Sequence, residues 1–408
     1  MTAEFDVIVW GASGFTGQLV AEYIAENYGI GNELRWAIAG RQKDKLEALR
    51  STLVGNGEAD SLPILIADSN NRESLDELVS KTKVICTTVG PYALYGTALV
   101  EACAESGTDY CDLTGEVQWM NRIIKNYEEK AKQTGARIVH TCGFDSIPSD
   151  LGTYFAQEEM MKQQHVYAKK VTARMGRSSG GASGGTIASL LNVLDEAKKD
   201  PSIRRVMGDP YSLCPPSLVP GKDKSDQSTF KYDSTFSQWT SPFIMAAING
   251  RVVRRSNAML EYRWGEDFQY DEAQLCKSLI KAIFATAAMG IGMGLVSLAP
   301  TRNFVEKRLP KPGEGPDAAA RERGFFEMFL HAFHPSDKKK DLRVKVTGDR
   351  DPGYGSTSKM LAESAICLAL DEKQSEGGIW TPSSAFGFLL IDRLIKNAGL
   401  NFELTPTD

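Results

Sequence analysis

Residues 5–17 read FDVIVWGASGFTG, a short apolar run that breaks into glycines and then resumes in a helix-compatible pattern. This join constrains the fold of the 408-residue chain more than any other feature. A strand that passes through glycines straight into a helix is the first half of a βαβ unit, and such units build parallel sheets. The rhythm persists through the first third. Strands are predicted at Phe5–Trp10, Leu34–Ala39, Leu62–Ile66, Val84–Val89, Asp109–Asp112 and Arg137–His140. Helical patterns at Gly17–Asn27, Lys43–Leu53, Arg72–Thr82, Thr97–Ser106 and Val117–Thr134 connect them. The expectation is an α/β fold whose first domain is a Rossmann-type parallel sheet covered on both faces.

The rhythm breaks after Gly143. Residues 176–185 are rich in glycine and serine, 208–230 are polar with prolines, and 309–320 read as a surface loop. Alternating runs at Lys169–Met175, Arg251–Ser256, Leu260–Trp264 and Leu342–Thr347 predict a second, α+β domain built on a mainly antiparallel sheet. Helices are predicted at Ser356–Leu370 and Ser384–Asn397. Because a single core rarely exceeds about 200 residues, the chain divides into a Rossmann domain (1–150), a substrate or dimerisation domain (151–350) and C-terminal helices (351–408).

The glycine loop, Gly11-Ala12-Ser13-Gly14-Phe15-Thr16-Gly17, lies between a strand and a helix. Small residues there let the backbone approach a pyrophosphate, whose charge meets free N–H groups and the helix dipole. The second strand ends Ala39-Gly40-Arg41. A site for NAD places an acidic residue at that point to bind the ribose 2′-hydroxyl, whereas a guanidinium suits a 2′-phosphate. The expected cofactor is therefore NADP(H). Asp68, after the third strand, is a candidate for the adenine edge or a helix cap. The loop after the fourth strand, with Val89, Gly90 and Pro91, should line the nicotinamide side. No catalytic residue is fixed by a motif; Tyr92, Tyr95 and Asp145 are candidates because they sit at carboxyl ends of strands.

Several chemistries are excluded or disfavoured. A formal net charge of −5 argues against nucleic acid. Seven cysteines with no C-x-x-C pair fit reduced thiols and a cytoplasmic location, and the N-terminus shows no targeting pattern. No tyrosine precedes a lysine by four residues, and there is no Walker A loop or G-x-S-x-G elbow. His331 and His334 form H-x-x-H without a third ligand at zincin spacing, so no metal is expected. Ala282–Ala299 is uncharged over eighteen residues but carries Gly290, Gly292 and Gly294. It is expected to be a buried small-residue segment, with peripheral lipid or membrane contact as the alternative.

Beyond these local signals, the whole chain resembles the saccharopine dehydrogenase-like oxidoreductases, a family that includes trans-acting enoyl reductases. The resemblance is carried by GASGFTG (11–17), AGR (39–41), TTVGPYALYG (87–96), CAESGTDYCDLTGE (103–116), GFDSIPSDLG (143–152), GYGSTSKMLAESA (353–365) and GGIWTPSSAFG (377–387). It implies a second domain inserted after the sixth strand and C-terminal helices that return to the Rossmann domain. It also implies one of three activities. The leading expectation is an NADPH-dependent enoyl-type reductase of a lipid-like substrate, which suits the apolar 282–299 segment. A saccharopine-type amine dehydrogenase would need paired arginines, for which Arg251, Arg254 and Arg255 are candidates. The third is a non-catalytic NADP(H)-binding protein at a lipid surface. The expected partners are a small-molecule or lipid-like substrate and a second copy in a homodimer.

Overall fold

The computed structural model describes residues 3–31, 33–55, 61–180, 184–215, 221–223, 226–297, 301–302, 315–371 and 375–407. Seven strands form a parallel sheet: β1 (Phe5–Trp10), β2 (Trp36–Gly40), β3 (Ile64–Ile66), β4 (Thr82–Thr87), β5 (Asp109–Cys111), β6 (Arg137–Val139) and, from far along the chain, β13 (Gly378–Trp380). Their order is β13-β6-β5-β4-β1-β2-β3, and every pairing is parallel. The chain runs outward from β1 to β3, then returns to lay β4 on the other side of β1. That reversal opens a crevice at the carboxyl ends of β1 and β4.

The second sheet has the order β14-β12-β11-β7-β10-β9-β8. Its strands are β7 (Lys170–Ser179), β8 (Lys231–Asp233), β9 (Gln238–Ser241), β10 (Gln269–Cys276), β11 (Phe325–Phe333), β12 (Leu342–Gly348) and β14 (Leu400–Thr405). Only β7 and β10 pair in parallel, so the sheet is mainly antiparallel, as the alternation suggested. The helix Ile147–Gln164 leads out of β6 and packs on β11 and β12. The helix Gly355–Leu370 covers β1, β4 and β5 beside the helix Phe15–Tyr28. One apolar core therefore runs from Val7, Val9 and Val84 on the first sheet, past Met360 and Leu361, to Met328 and Val346 on the second. The opposite face of the first sheet has its own core, with Ile8, Ile85, Tyr110 and Trp119.

Several expectations change. Arg251–Ser256 lies within a helix, Ala246–Met259, and Leu260–Trp264 is the turn that ends it, with positive φ at Glu261 and Tyr262. The local alternation misled because this helix is buried nearly all round, arginines included, so it shows no polar stripe. The predicted Ser384–Asn397 helix is two helices, Pro382–Phe386 and Phe388–Asn397, divided by Gly387 at φ 51°. Residues 176–179 extend β7, while 181–183 of the glycine–serine run, 216–220 and 224–225 of the polar stretch, and 309–314 of the expected loop lie outside the described residues.

The largest correction concerns Ala282–Ala299, whose last two residues lie outside the described residues. The segment belongs to a helix, Leu279–Ser297, and it is not a core segment: only Ala282 is buried. Ile280 is 79% exposed, Phe284 75% and Ile291 63%. A β-carbon placed on Gly290, Gly292 or Gly294 would meet none of the described residues within 4 Å, so these glycines do not serve close packing against them. The absence of charge had suggested burial; here it produces an apolar helix facing outward. It is long and apolar enough to cross a membrane by length and composition.

A candidate active site at the carboxyl ends of the first sheet

The glycine loop is shaped by three different demands. Gly11 has φ 86°, and a β-carbon there would lie 2.5 Å from Val89 Cγ2. Its N–H and that of Ala12 both bond to the Ala39 carbonyl at the end of β2. Gly17 must be glycine for packing, since a β-carbon would stand 2.2 Å from the Gly11 carbonyl oxygen. Gly14 differs: a β-carbon would meet only the Gly11 oxygen, at 3.3 Å, and the residue is exposed. It caps the N-terminus of the helix Phe15–Tyr28 with no side-chain acceptor on the first N–H groups. This is an open cradle of donors of the kind that suits a pyrophosphate.

The neighbouring residues are arranged around that cradle. Ser13 lies beside Gly40, 3.6 Å from where a β-carbon would stand. Thr16 is half-buried in the first helical turn, and Phe15 packs edge-on against Tyr354 at 4.7 Å with Arg321 over its ring. Arg41, at the end of β2, is exposed and forms no ion pair with the described residues. A guanidinium with no carboxylate of its own is free to meet an added phosphate. Asp68 uses Oδ1 to accept from the Asn70 N–H at 2.9 Å, forming a turn; the cap of the next helix is Asn71.

Across the crevice, Val89 touches Gly11, while Gly90 is exposed and Pro91 opens a short helix, Tyr92–Tyr95. Tyr92 is turned inward. Its hydroxyl donates to the Thr87 carbonyl at 3.2 Å, and burial pushes its phenol well above the ordinary range. It therefore packs beneath the loop and is not presented to the crevice. Tyr95 is 41% exposed.

Asp145 is the candidate whose chemistry stands out. It follows β6 by six residues, is half-buried, and accepts no hydrogen bond from the described residues. Its carboxyl is pushed up to about 7, first by burial and then by the charge of Asp112. A β-carbon on Gly115 would lie 4.0 Å from its carboxyl carbon and 2.9 Å from Ile248 Cδ1. Ile248 belongs to the same apolar cluster as Val89 and Ala93. The second region of the chain thus brings an aliphatic side chain over the first sheet beside an unengaged carboxyl.

Two carboxylates that hold these loops escaped the reading of the sequence. Asp112, fully buried, accepts from Tyr110 Oη, His140 Nδ1 and the N–H groups of Thr114 and Thr141. It pins the loop after β5 to the loop after β6. Glu116, 1% exposed, accepts from the Tyr92 and Ala93 N–H groups at 2.7 and 3.0 Å. The signal for both was an acidic residue just past a short parallel strand, in DLTGE.

The arginines expected to grip a dicarboxylate do not face the crevice. Arg251 bonds to the carbonyls of Ala247, Met207 and Asp209. Arg254 pairs with Asp223 and bonds to the Tyr270 carbonyl, while Arg255 pairs with Glu128 and bonds to the Leu213 and Ile379 carbonyls. All three are at most 4% exposed and serve to tie segments of the fold together.

A doubly wound parallel sheet, a glycine cradle at its switch point and, at the end of β2, an arginine with no ion pair among the described residues suit an NADP-dependent oxidoreductase. Comparison with known proteins agrees. Residues 7–139 match the saccharopine dehydrogenase NADP binding domain. A Mycobacterium tuberculosis protein provisionally named a trans-acting enoyl reductase is 40% identical over 418 aligned residues, covering 98% of each chain. A trans-acting enoyl reductase of Mycobacterium bovis is 35% identical over 424, covering 96% of each. Among solved structures, saccharopine dehydrogenase (L-Glu forming) from Saccharomyces cerevisiae superposes with a TM-score of 0.56 at 12% identity, covering 98% of this chain and 99% of that one. The chain belongs to the saccharopine dehydrogenase-like oxidoreductase family that includes the trans-acting enoyl reductases. Its cofactor is NADP(H).

Proposed function

We propose that the protein is an NADPH-dependent enoyl reductase of a lipid-like substrate, with Asp145 as proton donor. The observation that carries this reading is the unengaged, half-buried Asp145 carboxyl facing Ile248 across Gly115, an acid beside an aliphatic wall. The names of the relatives point the same way. In this reading the loop Gly11, Ala12, Ser13, Gly14, Phe15, Thr16 and Gly17 holds the pyrophosphate and Arg41 the 2′-phosphate. Asp68 borders the adenine, and Val89, Gly90 and Pro91 border the nicotinamide. Bound NADPH supplies a hydride to one carbon of the double bond. Asp145 gives its proton to the other carbon, and the resulting carboxylate regains one from solvent. A carboxyl near 7 is half protonated at neutral pH, which suits that exchange.

The saccharopine-type alternative loses its support because Arg251, Arg254 and Arg255 are consumed within the fold. Residues 151–350 serve as the substrate and dimerisation domain in this proposal. The outward helix Leu279–Ser297 makes a reversible lipid contact and holds a cytoplasmic protein at the membrane periphery. The test of function is NADPH oxidation by purified protein with enoyl-lipid substrates, against keto acids with amino donors. Turnover of the enoyl set alone supports the proposal. Turnover of the keto-acid set, or none with either, overturns it.

A further inference from the structure

The loop after β4 does not hold its own shape. Pro91 has no N–H, and the first two N–H groups of the short helix, on Tyr92 and Ala93, have no side-chain cap of their own. Both go to Glu116, one to each carboxylate oxygen. Glu116 comes from the loop after β5, and its own backbone is fixed there: its N–H bonds to Thr114 Oγ1, and its carbonyl receives Met120 at the start of the next helix. A carboxylate at a helix N-terminus is held by charge as well as by hydrogen bonds. The turn carrying Gly90 and Pro91 is thus fastened to the neighbouring strand's loop by one side chain.

A third donor reaches the same carboxylate from the other half of the molecule. Ser189, on the helix Gly184–Lys199, donates its hydroxyl to Glu116 Oε1 at 2.9 Å. The same helix is tied to the helix Val117–Thr134 by the Arg122–Glu196 ion pair at 3.0 Å. Among the described residues, Glu116 is therefore the group through which the Gly90–Ala93 turn and the inserted region share a contact on one pair of oxygens. Ile248 reaches the same neighbourhood only by van der Waals packing.

We infer that Glu116 is a positioning residue for the reaction: it sets the turn that borders the nicotinamide, and Ser189 makes that setting depend on where the helix Gly184–Lys199 sits. The inference rests on the proposed placement of the nicotinamide against Val89–Pro91. A purely structural role would lower stability without altering the bound cofactor. A positioning role leaves phosphate binding intact while loosening the ring.

The experiment compares wild type with Ser189→Ala, Ser189→Thr, Glu116→Gln and Glu116→Asp, using full-length protein and NADPH alone. Calorimetry reads the Kd, and the emission of the reduced nicotinamide reads how firmly the ring is held. Ser189 is only half-buried, so its alanine variant folds even where Glu116 variants fail. Ser189→Ala should lower the ratio of held to released ring by about tenfold, the loss of one hydrogen bond to a charged group, and should weaken the NADPH Kd by no more than that factor because the phosphates stay bound. Ser189→Thr should restore it, and Glu116→Gln should lower it further, because an amide nitrogen would face an N–H. Wild-type emission with unchanged Kd in Ser189→Ala overturns the inference alone. No change in emission when wild type binds NADPH overturns the placement of the nicotinamide, and the inference with it.

Discussion

Replacing Arg41 by alanine should convert a cofactor-selective protein into an indifferent one. Arg41 is exposed at the end of β2 and has no partner among the described residues, so its loss costs the fold nothing measurable. Any change in affinity then reports contact with the cofactor. A hydrogen bond to a charged group is worth about 1.5–3 kcal/mol, and exposure to solvent puts this one at the lower end. About 1.4 kcal/mol is tenfold in affinity, so NADPH should bind about tenfold more weakly and NADH almost unchanged. Arg41→Lys should fall between the two, keeping the charge but losing the planar fork. Raising the salt from low to physiological levels should shrink the wild-type preference, because an exposed ion pair is screened. Fluorescence titrations with both cofactors, on variants whose melting temperature matches wild type, give the answer. Equal weakening of both cofactors, or of neither, would refute the assignment of the 2′-phosphate to Arg41.

Four further outcomes are expected. Gly14→Val should fold, since only the Gly11 carbonyl stands nearby, yet lose binding of either cofactor by filling the cradle; calorimetry showing retained micromolar binding in folded protein would move the phosphates elsewhere. Asp145→Asn should lower turnover by about 100-fold or more and remove the fall in rate above the carboxyl's pKa of about 7. The same group should make stability fall as pH rises from about 4 to about 7, because the folded state holds that proton longer than the unfolded one; melting curves of the asparagine variant should lack this slope. Wild type should float weakly with liposomes, and Phe284→Lys or Ile291→Lys should not, while sedimentation of the same samples separates lipid contact from a second copy covering the helix.

The first sheet was readable because each of its early strands is an apolar run followed by a helix, and the pattern needs no partner to be recognised. Val117–Thr134 was placed to the residue, since its apolar positions recur on one face. The second sheet was less readable for a physical reason. β10, QYDEAQLC, buries Tyr270, Glu272 and Ala273 together, with Glu272 satisfied by Ser149, Asn249 and Tyr270. A strand whose inward face includes a hydrogen-bonded carboxylate shows no simple alternation. β13, three residues long, carries too little pattern to announce itself without the edge it joins. Spacing alone nominates the glycine loop and Arg41 for the proposed site, whereas nothing local nominates Glu116: its bonds go to two backbone N–H groups 23 and 24 residues earlier in the chain.

The last strands have a consequence for how this chain comes to be folded. Gly378 pairs with Arg137 to complete one sheet, and Leu400 pairs with Gly348 to complete the other. The helix Gly355–Leu370 lies over the central strands β1 and β4, which come far earlier in the chain. A ribosome that has delivered residues 1–150 has therefore produced six strands with one face only partly covered and the β6 edge still unpaired. Closing loops of that length is slow, and bare apolar surface and open edges invite association meanwhile. The cofactor-binding region cut out at residue 150 should therefore be less stable than the full chain, because the helix that completes its cover is encoded about two hundred residues later.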